Sequence, residues 1–112
     1  MLIPNLDRAV IDPRKLADYL LATDHPEGGP KAVFFLAMGF SAERPAELGD
    51  ALLAHAANEI AAFRQTAFGV KYLVEAIFAG LAGRERMVRS VWVIQTGEDF
   101  PRFVTAYPLE VS

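Results

Sequence analysis

Five polar residues of this sequence carry side chains suited to acid–base and phosphate chemistry. They are His25, Lys31, Arg89, Thr105 and Tyr107. Histidine titrates near neutral pH and can accept or donate a proton. Lysine and arginine stabilise negative charge, and the hydroxyls of threonine and tyrosine can position a phosphate or relay a proton. The set predicts chemistry on an anionic substrate, provided that the fold brings the five residues together.

His25 lies in a segment, Ala22 to Pro30, that holds two prolines and two glycines and therefore cannot be helical. Rigid loops of this kind commonly present functional groups on a fixed scaffold. The alternative is structural, with the imidazole anchoring its own loop by bonding a backbone carbonyl. The other histidine, His55, lies in a helical pattern and is expected at the edge of the core or at the surface.

Lys31 follows the loop at the start of a predicted helix, where a cation opposes the helix dipole. One explanation is an anion held jointly by the lysine and the free backbone N–H groups of that helix start. The alternative is a solvated lysine. The spacing of a phosphate-binding loop, G-x-x-x-x-G-K-[ST], is absent around it.

Arg89 lies inside an apolar strand pattern, where a charge is costly unless it is paired or faces a cleft. Thr105 and Tyr107, two positions apart, share one face of the last strand, and Arg89 joins them if its strand aligns suitably. A cation beside two hydroxyls forms a cradle for a phosphate or a carboxylate. The alternative is a cross-strand pair in which Arg89 bonds Glu75 or Tyr107.

Three helices are expected to position these residues, over about Pro13 to Leu21, Pro30 to Met38 and Pro45 to Ala57. Asp12 as N-cap and Pro13 at the first helical position mark the start of the first helix. Gly39 is a C-terminal cap for the second. This second helix is apolar nearly all round, which predicts that it is the central core helix.

Four strands follow, over Ile60 to Thr66, Lys71 to Phe78, Arg86 to Gln95 and Arg102 to Tyr107. Their connections are too short for crossover helices, which predicts an antiparallel meander. The fold class is therefore α+β, with N-terminal helices packed on one face of a four-stranded antiparallel β-meander. The aromatic residues expected in the core are Trp92, Phe34, Phe35, Phe63, Phe78 and Phe103.

The length of 112 residues predicts a single domain over 1–112, with a helical half at about 13–58 and a sheet at about 60–107. The chain has no cysteine, and its two histidines lack ligand spacing, so neither a metal nor a cofactor is expected. No apolar run is long enough to span a bilayer, which predicts a cytoplasmic protein without membrane contact. The last residues, Leu109 to Ser112, are expected to fray.

The net charge of −3 argues against a broad basic surface for nucleic acid, although a small basic cleft is compatible with it. It also suits a protein that neutralises a basic toxin.

Six short motifs are spread over nearly the full length of the sequence. They are Leu-x-x-Tyr-Leu-Leu at 16–21, His-Pro-x-Gly-x-x-Lys-Ala at 25–32, Gly-Phe at 39–40, Phe-Gly-x-Lys-Tyr-x-Val-Glu at 68–75, Val-Arg-x-Val-Trp-x-Ile at 88–94 and Val-Thr-Ala-Tyr-Pro at 104–108. Together they resemble a small bacterial domain family of unknown function.

The layout of helices followed by a four-stranded antiparallel meander is similar to that of the barnase, EndoU, colicin and RelE group of metal-independent ribonucleases, many of which are toxins. This resemblance implies that His25 is a general base or acid and that Lys31 and Arg89 stabilise phosphorane charge. It also implies that Thr105 and Tyr107 position the phosphate or relay a proton. The chain departs from the group in its acidic charge and in lacking a second sheet histidine or glutamate with a clear role.

Two main hypotheses remain open. A ribonuclease-like effector domain would act on RNA and would bring the five polar residues into one cleft. A non-catalytic antitoxin, immunity or accessory protein would bind a toxin or a second copy of itself through a sheet edge or an apolar patch. A third hypothesis is that the sheet face binds a small anionic metabolite. The motif resemblance favours the first.

Overall fold

The structure, a computed structural model, describes residues 1–109, so the expected fraying of Leu109 to Ser112 falls almost wholly outside the described residues. Its first helix, α1, begins as an α-helical turn over Pro13–Lys15, where the Asp12 side chain accepts the N–H of Arg14 at 3.0 Å. It continues as a π-helix over Leu16–Leu20. The predicted cap is confirmed, and the π-helical turn is a feature that the sequence pattern did not indicate.

The second and third helices are α2 over Gly29–Ala37 and α3 over Pro45–Ala56. The prediction that α2 is the central core helix is wrong, because Val33 in its middle is 63% exposed. Only one side of α2 reaches the interior, and apolar residues on its other side face solvent. The continuous buried stripe lies instead on α3, at Leu48, Leu52 and Ala56.

The sheet consists of β1 over Ile60–Thr66, β2 over Gly69–Ala79, β3 over Glu85–Gln95 and β4 over Arg102–Pro108. Its order is β1-β2-β3-β4 with every pair antiparallel, so the predicted α+β class and the four-stranded meander are confirmed. β2 and β3 lie inside the sheet, and β1 and β4 form its edges.

The helices pack against one face of the sheet, and the core forms between them. The largest fully buried side chains on this face of the sheet are Val74, Phe78, Val88, Ser90 and Trp92. Phe63, which was expected in the core, is 60% exposed because it lies on β1 at the outer edge of the sheet.

His55 is only 2% exposed, which corrects its predicted position at the edge of the core or at the surface. It lies on the inward side of α3. Its Nδ1 is 2.8 Å from the Ser90 hydroxyl, and its Nε2 lies 3.1 Å and 2.9 Å from the carbonyl oxygens of Ala76 and Val88. Trp92 donates its indole N–H to the same Ser90 hydroxyl at 2.9 Å. A buried imidazole with every polar atom partnered joins the helical layer to the sheet.

The opposite face of the sheet, here called the open face, carries the side chains that alternate with the core residues. Cross-strand register places Glu75 opposite Arg89 and Arg89 opposite Tyr107. The next row of this face runs from Leu73 through Val91 to Thr105, and the one after it from Lys71 through Val93 to Arg102.

Candidate functional site

Tyr19 joins three segments of the fold through one hydroxyl group. The ammonium group of Lys31, on α2, donates to this hydroxyl at 2.6 Å. The Thr105 hydroxyl, on β4, lies 3.0 Å from it. Two predicted site residues therefore meet at a tyrosine that the sequence did not single out. Lys31 is bonded and not merely solvated.

Two local features bring Tyr19 and Thr105 together. Tyr19 lies in the π-helical part of α1, a widened turn of a kind that often occurs at functional sites. On β4, Trp92 pairs with Phe103 while Val91 pairs with Thr105, so Val104 is an extra residue that forms a bulge. Bulges bend a strand and redirect its side chains. Thr105, next to the bulge, reaches α1 at the edge of the sheet.

His25 holds its own loop and also borders Tyr19. Its Nδ1 accepts the backbone N–H groups of Glu27 at 3.0 Å and Gly28 at 2.9 Å. Since Nδ1 accepts, the neutral ring carries its proton on Nε2. The imidazole meets the Tyr19 ring edge-on, with centroids 5.1 Å apart. The predicted anchoring role therefore occurs, but through amide N–H groups and not through a carbonyl.

Positive charge surrounds the Tyr19 ring. The Nζ atoms of Lys15 and Lys31 lie 5.1 Å and 5.0 Å from its centroid. Burial by itself raises the pKa of Tyr19, but the hydrogen bonds with Lys31 and Thr105 and the charges of the two lysines outweigh it. The net effect lowers the pKa of this phenol, which makes it better able to exchange a proton than an ordinary tyrosine. We call Lys15, Tyr19, His25, Lys31 and Thr105 the Tyr19 cluster.

Arg89 and Tyr107 form a second group on the open face. The Arg89 Nε lies 2.7 Å from a carboxylate oxygen of Glu75, and its Nη1 donates to the Tyr107 hydroxyl at 3.0 Å. These hydrogen bonds, first that with Tyr107 and then that with Glu75, raise the pKa of Arg89. Both cross-strand partners considered from the sequence are therefore engaged at once, and Glu75 neutralises the guanidinium.

The five predicted residues thus fall into two neighbouring groups. His25, Lys31 and Thr105 surround Tyr19, whereas Arg89 bonds Tyr107 on the adjacent row of the sheet. Thr105 and Tyr107 are alternate residues of β4, which separates their Cα atoms by roughly 7 Å. The two groups therefore meet along one edge strand.

An open cleft of about 350 Å³ lies beside the Tyr19 cluster. Its lining residues are Asp12, Arg14, Lys15, Asp18, Tyr19 and His25. Asp12 is already committed to Arg14, whose Nη2 lies 2.8 Å from it. The hydrogen bonds from Arg14 lower the pKa of Asp12 to about 2, so it remains an ionised partner of that arginine. Lys15 and the Nε2–H of His25 are the cleft groups best suited to an anion.

Tyr19 is the residue that the sequence analysis missed as a candidate. Its spacing from Leu16 and Leu20, both of which are buried, is that of an ordinary packing face of α1. The available signal was its place in the Leu-x-x-Tyr-Leu-Leu motif immediately before the histidine loop. Within residues 1–109, no three histidine, cysteine or carboxylate side chains are grouped as metal ligands require. The same residues contain no helix with the length and apolar character that crossing a membrane demands.

Comparisons with known proteins agree with this fold. A family model described as Domain of unknown function (DUF6883) matches residues 2–110. No curated protein matches the chain. Among solved structures, a chain of the contact-dependent growth inhibition toxin–immunity protein complex from Klebsiella pneumoniae 342 is similar, with a TM-score of 0.69 and 17% sequence identity. The match covers 89% of this chain and 99% of that chain. At this identity the similarity concerns the fold alone.

Proposed function

The chain belongs to the DUF6883 family, a family of unknown function, and we propose that it is a metal-independent, ribonuclease-like domain of the toxin type that acts on RNA phosphodiester bonds. The observation that carries the proposal is the Tyr19 hydroxyl, bonded by Lys31 at 2.6 Å and lying 3.0 Å from Thr105. A phenol with a lowered pKa beside an ammonium group and an imidazole supplies what metal-free phosphate chemistry requires.

The reaction proposed is attack of a ribose 2′-hydroxyl on the adjacent phosphorus. The new oxygen–phosphorus bond forms while the bond to the 5′-oxygen of the next nucleotide breaks, and no oxidant or metal is needed. Tyr19, as phenolate, accepts the proton of the attacking hydroxyl. The leaving 5′-oxygen takes a proton from water, and the hydroxide so formed recovers the proton that Tyr19 accepted. The Nε2–H of His25 donates a hydrogen bond to the phosphate, and Lys31 stabilises the phosphorane charge.

Arg89, Thr105 and Tyr107 position the substrate in this proposal. Thr105 holds the Tyr19 hydroxyl, and Tyr107 with Arg89 offers donors to the adjoining phosphate along β4. Glu75 keeps the guanidinium neutralised until a phosphate competes for it. Arg89 therefore contributes to binding more than to the chemical step.

The fold similarity to a chain of a toxin–immunity complex supports assigning this chain to a toxin-type system. A toxin acting on cellular RNA requires a cognate protein that blocks it in the producing cell. We therefore infer an immunity protein or antitoxin as the protein partner.

The test is cleavage of RNA by the purified protein in the presence of a chelator, followed through the appearance of cyclic phosphate ends. Tyr19→Phe and Lys31→Ala are each expected to slow cleavage by about 10²- to 10³-fold. Arg44→Ala, which removes an exposed cation at the start of α3, is the control and should cleave normally. Failure of the folded protein to cleave any RNA, or unchanged cleavage by Lys31→Ala, would refute the proposal.

A second candidate function is a non-catalytic binding module, and the edge of β1 beyond Ile60 favours it. The β4 edge is covered at its Arg102 end, since Val10 exchanges backbone hydrogen bonds of 2.9 Å with Pro101 and Phe103. In the part of the chain that the structure describes, no strand lies outside β1, although the N–H of its first residue, Ile60, donates to the Met1 carbonyl at 2.9 Å. An exposed edge of this kind can accept a strand of a partner. The test is whether expression of the protein protects cells against a toxin. Protection by the Lys31→Ala variant, together with loss of protection by the Phe63→Lys variant, would identify this function.

A further inference from the structure

Phe68 is displayed at the tip of a rigid turn between β1 and β2, where it is 78% exposed. The Thr66 hydroxyl accepts the N–H of Phe68 at 3.1 Å and donates to the Gly69 carbonyl at 2.8 Å. The Phe68 carbonyl accepts the N–H of Thr96 at 2.9 Å. These hydrogen bonds order the backbone of the turn, from which the Phe68 ring projects into solvent.

Beside Phe68, the open face forms a hollow of about 380 Å³. Its lining residues are Thr66, Phe68, Lys71, Val93 and Val104. A hollow of about 250 Å³ adjoins it and also includes Lys71, together with Arg64. An aromatic ring, two valines on the floor and a cation at the rim are suited to a flat apolar ring that carries an anionic group.

The cations that line these two hollows, Arg64 and Lys71, are neighbouring like charges. Arg64 lies directly opposite Lys71 in the register of β1 and β2. Like charges in that position destabilise a sheet. Farther along the open face, Arg89 is neutralised by Glu75. Within residues 1–109, by contrast, neither Arg64 nor Lys71 forms an ion pair. An anion between the two would relieve their repulsion.

We propose that this end of the open face is a nucleotide-binding subsite for single-stranded RNA. A base packs on the Phe68 ring and over the two valines, and its phosphate lies between Arg64 and Lys71. An unpaired strand is required, because a base in a duplex cannot present its face to an aromatic side chain. Recognition by stacking predicts little discrimination among bases.

The inference rests on the proposed ribonuclease function and extends it to the substrate. Lys71 and Glu75 are four residues apart on β2, which places the subsite roughly 13 Å from the row of Arg89 and Tyr107. Thr105 of the Tyr19 cluster lies on the row between them, next to Val104 of the hollow, so the subsite lies one row along the open face from that cluster. It would hold a nucleotide away from the bond that is cut.

The experiment measures binding of a fluorescent single-stranded oligoribonucleotide to the full chain carrying Lys31→Ala, which slows cleavage so that binding is read before the probe is cut. Adding Phe68→Ala is expected to weaken binding by about five- to a hundredfold. Adding Arg64→Gln or Lys71→Gln should weaken binding and reduce the salt slope of log K by about 0.7 each. Control variants are Val33→Ala, another exposed apolar residue, and Arg44→Gln, another exposed cation. Both should bind as the parent does.

The outcomes separate this inference from the proposed activity. Cleavage by the wild type together with unchanged oligoribonucleotide binding by Phe68→Ala and Lys71→Gln would overturn the subsite and leave the activity standing. Binding that depends on Phe68 in a protein that cleaves no RNA would support the subsite and overturn the activity. Equal affinity for single-stranded and duplex RNA would overturn the stacking geometry. If Phe68→Ala abolished binding of a protein partner and left RNA binding unchanged, the surface would be a protein interface and the inference would be overturned.

Discussion

Tyr19 has two hydrogen-bonding partners that are distant in the sequence, and the direction of the bonds determines its chemistry. An ammonium group can only donate, so the phenol oxygen accepts from Lys31, which is 12 residues away. Thr105, 86 residues away, supplies the other hydroxyl. An oxygen that accepts a charged donor is stabilised as phenolate, and for this reason Tyr19, more than His25, is the proton acceptor in our proposal.

The first prediction concerns the titration of Tyr19. Phenolate absorbance of the wild type minus that of Tyr19→Phe should show a pKa below the ordinary value of 10.0. Lys31→Met should move this pKa back upward, because it removes both a donor and a positive charge. Tyr107→Phe is the control: the titration attributed to Tyr19 should have the same pKa in this variant as in the wild type. A Tyr19 pKa at or above its ordinary value would contradict the role assigned to it.

His25 and Lys31 were identifiable from the sequence because a histidine in a Pro/Gly loop and a lysine at a helix start are unusual in their settings, and Thr105 because it alternates with Tyr107 on one face of a strand. Tyr19 was not, because its spacing from Leu16 and Leu20 fits an ordinary packing face. What distinguishes it is the partnership with Thr105, which depends on a β4 bulge and on the closure of a loop. Sequence periodicity carries no information on either feature.

At the scale of elements, the site depends on the loop between α1 and α2 closing tightly on α1. Gly28 makes this contact, since a Cβ at that position would lie 2.2 Å from the Tyr19 carbonyl oxygen. Its N–H also bonds the His25 ring at 2.9 Å. The glycine is required here by space and not by a positive φ, because its φ is −82°.

The second prediction follows from this contact. Gly28→Ala should lower the free energy of unfolding by about 1–3 kcal/mol, because the loop must move away from α1 to admit the methyl group. It should also raise the Tyr19 pKa, since Lys31 follows the loop directly. Gly49→Ala, inside α3 with its Cβ 3.4 Å from Leu16, is the matched control and should be neutral or stabilising. Thermal unfolding of the three proteins measures their stability, and phenolate absorbance measures the Tyr19 pKa. Equal stability of Gly28→Ala and wild type would contradict the expected destabilisation.

The elements themselves were largely predictable, and the differences have physical causes. The strands follow from alternation and short turns, and their meander is as expected. β2 begins at Gly69 and not at Lys71, because a glycine with φ of +141° pairs with Thr66 although it is typical of a turn. Burial of α2 and of Phe63 was overestimated because apolar character alone does not indicate which surface the other elements leave uncovered.

At the scale of the whole molecule, the net charge of −3 conceals an uneven distribution. Of the cations on the open face, Arg89 and Arg102 are paired with Glu75 and Glu98. Arg64 and Lys71 lie side by side on neighbouring strands. An acidic protein can therefore still present a local cationic surface, which a net charge taken from composition does not reveal.

The buried network of His55, Ser90 and Trp92 joins the helical layer of the molecule to the sheet. Burial lowers the pKa of His55 below its ordinary value of 6.5, although the bonds to the Ala76 and Val88 carbonyls act in the opposite direction. The unfolded chain therefore takes up the proton more readily than the folded protein. Stability from this group is complete above about pH 6.5 and is lost as the pH falls toward the lowered pKa of the folded state.

The third prediction is that the free energy of unfolding of the wild type falls between about pH 7 and about pH 5, with a slope of up to about 1.4 kcal/mol per pH unit from His55. His55→Gln should be less stable at neutral pH by about 1–3 kcal/mol, because the hydrogen bonds that the imidazole makes in the buried network are lost or distorted. Its dependence on pH over this range should be flatter than that of the wild type. Trp92→Phe removes the donor to Ser90 but keeps the imidazole, so it should lower stability without changing the slope. Denaturant unfolding at several pH values measures all three proteins, and an equal slope for His55→Gln and wild type would show that another group controls acid unfolding.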